Sequence, residues 1–282
     1  MTQPCYDLPV RTSDREAYRN SVVVLTGASS GIGRELALLL ARSGAHLVLA
    51  ARDLERLAAV AAECKGAGAS SAEAVVTDIA EESQCRALIA RTQELHGRLD
   101  VLINNAGMTM WSLFRDVETL EPFRRLIEIN YLGAVYCTHA ALPLLLASRG
   151  RIVAVSSLTG KTGVPTRSGY AASKHAMIGF FDTLRIELLE TGVSVTVACP
   201  DYVATPTRER GFAADGRPVG ESPVKEKEIQ SAKDCAEEIF VAGARRQREI
   251  LGSARGKLGV YLKLFWPALV DRIALRAVKR GR

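Results

Sequence analysis

Tyr170 and Lys174 stand four residues apart in the stretch SGYAASKHAMIGFF, residues 168–181, which reads as the start of a buried helix. Four residues is about one helical turn, so a phenol and an ammonium share one face. A free phenol ionises near pH 10, and a neighbouring cation favours its anion, which suits the hydroxyl to acid/base work. Alone, such a pair is most often an ordinary aromatic and a solvated lysine. The surrounding chain has to decide.

A second chemistry is written in TGASSGIG, residues 26–33. It follows an apolar, β-branched run, residues 21–27, and opens a helical pattern. A helix N-terminus leaves amide N–H groups free and carries the positive end of the helix dipole, so it attracts phosphate. Gly27 suits the tight turn, Gly31 a close approach of pyrophosphate to the backbone, and Gly33 close helix–strand packing. Ser29, Ser30 and Ile32 complete the expected cofactor turn. The next apolar run, HLVLAAR, ends in Arg52, where a site built for NAD(H) would place an acidic residue. An arginine can pair with a 2′-phosphate and cannot replace that carboxylate, so NADP(H) is the expected cofactor and NAD(H) the alternative. Asp53 complicates the assignment.

These groups need a frame. Strand-like runs fall at 21–27, 46–52, 72–78, 99–107, 150–157 and 194–200, and helical stretches separate them. Such alternation predicts parallel strands joined by right-handed crossovers. The fold class is α/β: a Rossmann-like doubly wound parallel sheet in a single domain, with ligands beyond the carboxyl ends of the strands. The division expected is an N-terminal extension over 1–19, the domain over 20–250, and a basic amphipathic helical tail over 251–282. The long helix before the fifth strand is expected to adjust at Pro143. The polar segment 207–228 is expected to form a mobile loop or flap over the ligand.

The chain resembles the short-chain dehydrogenase/reductase family over about residues 20–206. The resemblance rests on TGASSGIG (26–33), Asp78, NNAG (104–107), Asn130 in IEINYLG, Ser157 in VAVSS, YAASK (170–174) and PDYVAT (200–205). It implies an oxidoreductase that interconverts a ketone or aldehyde and an alcohol by hydride transfer. The catalytic set it implies is Asn130, Ser157, Tyr170 and Lys174. Ser157 is preferred to Ser156 for its family spacing to Tyr170. Lys174 would lower the Tyr170 pKa and hold the nicotinamide ribose, and Asn130 would hold a water behind it. Asp78 and Ile79 would contact the adenine, Asn105, Ala106 and Gly107 would flank its ribose, and Pro200, Val203 and Thr205 would lie near the carboxamide. Asp201 departs from the Pro-Gly usual in the family: it would either disturb the carboxamide site or face solvent harmlessly. A homodimer or homotetramer is also implied. Isomerase or dehydratase chemistry, and a non-catalytic nucleotide sensor or membrane-associated scaffold, are the alternatives.

Met110, Leu158, Val164 and Tyr202 follow strand ends and are candidates for an apolar substrate pocket, with Met108, Trp111, Phe114 and Phe212 nearby. The formal net charge is +6. From Arg245 onward eleven Lys/Arg face only Glu249 and Asp271, so that segment carries +9 and the remainder −3. With no nucleic-acid motif, the basic character belongs to the tail. Residues 256–282 mix apolar and basic residues as a peripheral membrane helix would; packing on the sheet or on a sister subunit is the alternative. Six scattered cysteines without a CxxC pair or a histidine cluster read as cytoplasmic free thiols, and no metal site is expected. The polar N-terminus reads as no signal peptide.

Overall fold

The structure, a computed structural model, describes residues 9–222 and 229–280. Cys5, the end of the expected flap (223–228) and the last two residues of the tail lie outside the described residues.

Seven strands form one sheet in the order β3-β2-β1-β4-β5-β6-β9, every pairing parallel. They are β1 (Val22–Thr26), β2 (His46–Ala51), β3 (Ser71–Val76), β4 (Val101–Asn104), β5 (Arg151–Val155), β6 (Ser194–Cys199) and β9 (Glu249–Leu251). All five residues of β1 are buried, because helices cover both faces of the sheet. Val23 and Leu25 join one core with Leu36, Leu40, Ile239 and Phe240. Val22 and Val24 join the other with Leu88, Ile89, Leu145 and Phe181. The helices concerned are α2 (Gly31–Ala41), α3 (Leu54–Gly66) and α8 (Ala232–Ala244) on the first face, and α4 (Glu82–His96), α6 (Gly133–Ser148) and α7 (Ser168–Glu187) on the second. The strand order reverses between β1 and β4, so a crevice opens beyond their carboxyl ends.

The helical run Glu121–Ser148 is long and apolar enough to cross a membrane by length and composition. Here it lines the sheet, with Leu126, Ala134, Ala141 and Leu145 buried. It comprises α5 (Glu121–Ile127), a π turn (Glu128–Leu132) and α6. The adjustment therefore falls at the π turn and not at Pro143, which α6 accommodates in its interior. A π turn lodges one additional residue per turn, and the residue it directs inward is Asn130, fully buried.

Part of the N-terminal extension is docked. Its short helix α1 (Thr12–Glu16) carries Asp14, whose carboxylate takes two hydrogen bonds from Arg245, at 2.8 and 2.9 Å. The segment after β4 is stitched to the flap: Trp111 N–H donates to Phe212 O at 2.8 Å and Phe212 N–H to Thr109 O at 2.9 Å. A small two-stranded pairing of β7 (Val203–Ala204) with β8 (Gln230–Ser231) closes that loop. Beyond β9 the chain forms α9 (Ala254–Phe265) and α10 (Pro267–Arg280).

Candidate active site

A cleft of about 790 Å³ lies at the carboxyl ends of the strands and runs from the glycine turn to Tyr170. Gly27 adopts φ +68°, and a Cβ there would meet Ala106 Cα at 2.7 Å. A Cβ on Gly33 would stand 2.2 Å from Gly27 O, so only glycine lets α2 begin this close to β1. Asn105 braces the turn, its Nδ2 donating to Thr26 O at 3.0 Å and to Gly27 O at 3.3 Å. Ser30 makes no side-chain cap on α2, which leaves the first amides of that helix uncapped by its N-cap side chain. Gly27, Ser29, Ser30, Gly31, Ile32 and Gly33 all line the cleft.

Arg52, at the end of β2, also lines it and is exposed. Asp53 is committed elsewhere: its carboxylate caps α3, accepting from Arg56 N at 3.1 Å, and pairs with the Arg56 guanidinium at 3.2 Å. Asp78 and Ile79 line the same wall. Asp78 Oδ1 also accepts from Ala80 N–H at 3.1 Å, so a local turn uses part of its carboxylate.

At the other end Ser157 and Tyr170 both line the cleft, and the Ser157 hydroxyl acts to lower the Tyr170 pKa. Ser157 lies two residues past the end of β5 and its Oγ accepts from Thr159 N at 3.2 Å. Ser156 is buried, its hydroxyl donating to Lys174 O at 3.3 Å. Lys174 is buried, and its ammonium donates to Val155 O at 2.8 Å. Burial lowers the Lys174 pKa to about 8.

Burial also governs Tyr170, but in the opposite sense, raising the phenol above its ordinary value. The cation that pulls it back is Arg167, whose guanidinium carbon is 4.7 Å from the ring centroid. Lys174 Nζ is 5.9 Å from that centroid and held by the Val155 carbonyl. Two cations thus stand near the ring, and Arg167 is the nearer to it.

Asn130 is off the cleft wall. Its Oδ1 accepts from Met108 N at 2.8 Å, and its Nδ2 donates to Met108 O and to Ser173 Oγ, each at 2.9 Å. Ser173 in turn donates to Tyr170 O at 2.8 Å. The amide thus ties the segment after β4 to the second turn of α7, through Ser173.

Of the substrate candidates, Leu158, Val164 and Tyr202 line the cleft. Met110 does not: it is buried beneath α7, its sulfur accepting from Gly169 N–H at 3.2 Å. The chain after β4 is irregular there: Met108 and Thr109 line the cleft, and Met110 turns away from it. Phe114 points outward and packs edge-on against Phe123.

Asn105, Ala106, Gly107, Pro200, Val203 and Thr205 all lie on the wall. Asp201 lies there too and neither faces solvent freely nor stands alone: its Oδ2 accepts from Ser253 Oγ at 2.6 Å. The sequence reading missed Arg167 and the contribution of α9, whose Arg255, Gly256 and Gly259 reach the cleft. The glycines at 256 and 259 were the available signal, since a Cβ on Gly256 would fall 2.1 Å from Leu158 Cδ1.

The sequence model of the short chain dehydrogenase family matches residues 21–215. The chain belongs to the short-chain dehydrogenase/reductase family. Dehydrogenase/reductase SDR family member 7B of Mus musculus is 36% identical over 277 residues, covering 96% of this chain and 85% of that protein. 11-beta-hydroxysteroid dehydrogenase 1A of Arabidopsis thaliana is 36% identical over 256 residues, covering 89% and 73%. Among solved structures, a short-chain dehydrogenase/reductase of Burkholderia phymatum in complex with NAD superposes with a TM-score of 0.78 at 27% identity, covering 90% of this chain and 96% of that one. An alcohol dehydrogenase of Thermococcus sibiricus complexed with 5-hydroxy-NADP gives 0.70 at 26% identity, covering 82% and 95%. The short-chain dehydrogenase/reductase here is an oxidoreductase acting on CH–OH groups.

Proposed function

We propose that this short-chain dehydrogenase/reductase is an NADP(H)-dependent carbonyl reductase or alcohol dehydrogenase with Tyr170 as its acid/base. The observation that carries the reading is that one cleft joins an uncapped, glycine-lined helix start to the Tyr170–Ser157 pair.

The residues present fit a dinucleotide. Gly27 and Gly33 make a cradle that a side chain would fill. The amides of α2 suit its pyrophosphate, and Arg52 suits a 2′-phosphate better than a ribose diol. Asp53, the rival for that diol, is occupied as the α3 cap. Bound there, the nicotinamide supplies hydride chemistry that no side chain provides.

The rest falls to the chain. In the direction of reduction the Tyr170 hydroxyl donates its proton to the substrate oxygen, and burial keeps that phenol protonated at neutral pH. The Ser157 hydroxyl donates to the same oxygen as charge develops on it. Lys174 holds the ribose hydroxyls of the nicotinamide. Asn130 acts as a positioning residue, through Met108 and Ser173. Leu158, Val164 and Tyr202 give the substrate an apolar wall. Stopped assays of NADPH oxidation across a panel of ketones and aldehydes test the reading, with Tyr170→Phe as control. Equal turnover by the variant would sink it.

The tail supports a peripheral membrane contact. Leu264, Phe265 and Trp266 are 72%, 73% and 62% exposed, too much apolar surface for an ordinary packed helix end.

A further inference from the structure

Arg167 is a cation in an unusual place. It is only 6% exposed, it lines the cleft, and it stands three residues before Tyr170. Its guanidinium carbon lies 4.0 Å from the centroid of Trp111, 4.7 Å from Tyr170 and 5.6 Å from Tyr202. One nitrogen donates to Thr109 Oγ1 at 2.5 Å. Its Nε is buried without a hydrogen-bond partner, and among the described residues no carboxylate pairs with it.

Burying a guanidinium is costly unless an anion and hydrogen bonds compensate it. Stacking on three rings offsets part of that cost, by roughly 0.5–2 kcal/mol per contact. These contacts do not neutralise the charge. The acid nearest in sequence to Tyr202 is Asp201, and its carboxylate is engaged by Ser253 and lies 3.8 Å from Arg255. The charge of Arg167 is thus left to the contents of the cleft, next to the pair of hydroxyls that would hold a reacting oxygen.

We propose that the carbonyl substrate carries an anionic group, carboxylate or phosphate, and that Arg167 binds it. This rests on the reductase reading and adds a substrate class to it: an oxo- or hydroxy-compound with an apolar body against Leu158 and Val164 and a negative group within reach of Arg167. A guanidinium presents parallel N–H donors, the geometry that carboxylate and phosphate accept.

The test uses full-length protein loaded with NADPH. Binding of 4-formylbenzoate, 4-formylphenyl phosphate and neutral methyl 4-formylbenzoate is followed by nucleotide fluorescence. The expected result is that at least one anion binds roughly tenfold or more tightly than the ester, as a charged hydrogen bond provides. The tighter anion identifies the group. In Arg167→Gln that advantage disappears, and in Arg167→Lys part of it returns, while NADPH affinity holds in both. An ester that binds as well as both anions, an advantage that survives Arg167→Gln, or failure of every anion to bind overturns the proposal. NADPH binding and turnover of any neutral carbonyl would leave the reductase reading standing on its own.

Discussion

Asp201 and Ser253, 52 residues apart, are joined by a 2.6 Å hydrogen bond in which the serine hydroxyl donates to Oδ2. The same Oγ accepts from Gly256 N at 2.9 Å and so caps α9. Asp201 Oδ1 accepts from Tyr202 N at 2.9 Å. One carboxylate therefore fixes both the loop after β6 and the start of the helix that closes the cleft beside Leu158.

That arrangement matters because α9 buries no residue fully. With little apolar anchorage, its position depends on its cap and on contacts such as Lys263 Nζ donating to Lys161 O at 3.1 Å. Asp201→Gly removes a bond worth about 1–2 kcal/mol. We expect faster amide exchange over 254–265 and a several-fold rise in KM for the carbonyl substrate, with NADPH affinity held, since the glycine turn is untouched. Unchanged exchange in that segment would show that the latch does not position α9.

Tyr170→Phe removes the hydroxyl proposed to exchange a proton with the substrate, while the ring keeps its contact with Arg167. General acid/base catalysis contributes about 10²–10⁴-fold, so kcat should fall by that order. The Kd for NADPH, read by fluorescence titration, should change no more than about threefold. A variant that lost nucleotide binding in parallel with turnover would point to a structural role instead.

The Lys174 ammonium makes stability depend on pH in a defined window. Its pKa is depressed by burial from 10.5 to about 8. Below 8 the folded and unfolded chains both carry the proton, and the whole cost of burying the charge is present. Between 8 and 10.5 the unfolded chain keeps a proton that the folded chain has released, so rising pH favours folding through this group. Lys174→Met removes the cost altogether. Its stability advantage over the parent should be greatest near pH 7 and shrink toward pH 10.5, by on the order of 3 kcal/mol. Urea midpoints of the two proteins at pH 7 and pH 10 measure the difference; a constant gap would mean that the charge is compensated in the fold.

Arg52→Ala should cost the preference for NADPH over NADH. Among the described residues no acidic partner holds Arg52, and Asp53 is engaged by the α3 cap and by Arg56. A charged contact to phosphate is worth roughly 1.5–3 kcal/mol. The ratio of kcat/KM for the two nucleotides should therefore fall at least about tenfold, mostly through KM for NADPH. A ratio that stays constant would mean that another cation, such as Arg56 on the same wall, reads the phosphate.

How far the sequence was legible follows from what each part depends on. The strands and the glycine turn obey local rules: β-branched runs, a glycine at positive φ, a helix starting where the glycines end. Those rules placed six of the strands and the tight glycine turn between β1 and α2. The strand β9 is three residues long and offered no periodicity to read. Met110 was misassigned because the chain leaves regular strand geometry after Asn104, so no fixed period tells which of Met108, Thr109 and Met110 lines the cleft. The π turn at Asn130 and the charge beside Tyr170 were hidden for a different reason. Both depend on contacts between segments distant in the chain: Met108 with Asn130, and Arg167 with Trp111 and Tyr202. No spacing along the chain records these.

The tail gives the remaining prediction. In α10 Val270 is buried while Leu269 and Ile273 are 46% and 51% exposed, and Phe265 and Trp266 continue the apolar surface onto the end of α9. Lys263, Arg272 and Arg276 lie among them in sequence, placed to reach anionic headgroups while apolar neighbours enter the interface. Replacing both Phe265 and Trp266 with Glu withdraws two aromatic groups, each worth roughly 1.5–3 kcal/mol when buried, and adds two negative charges. Co-sedimentation with vesicles containing phosphatidylserine should fall at least about tenfold, and further salt should weaken what binding remains. Turnover of a water-soluble carbonyl should hold, because neither aromatic lines the cleft. Vesicle binding equal to that of the parent would assign the exposed face to another partner, with a second copy of the chain as the first alternative to examine by sedimentation velocity.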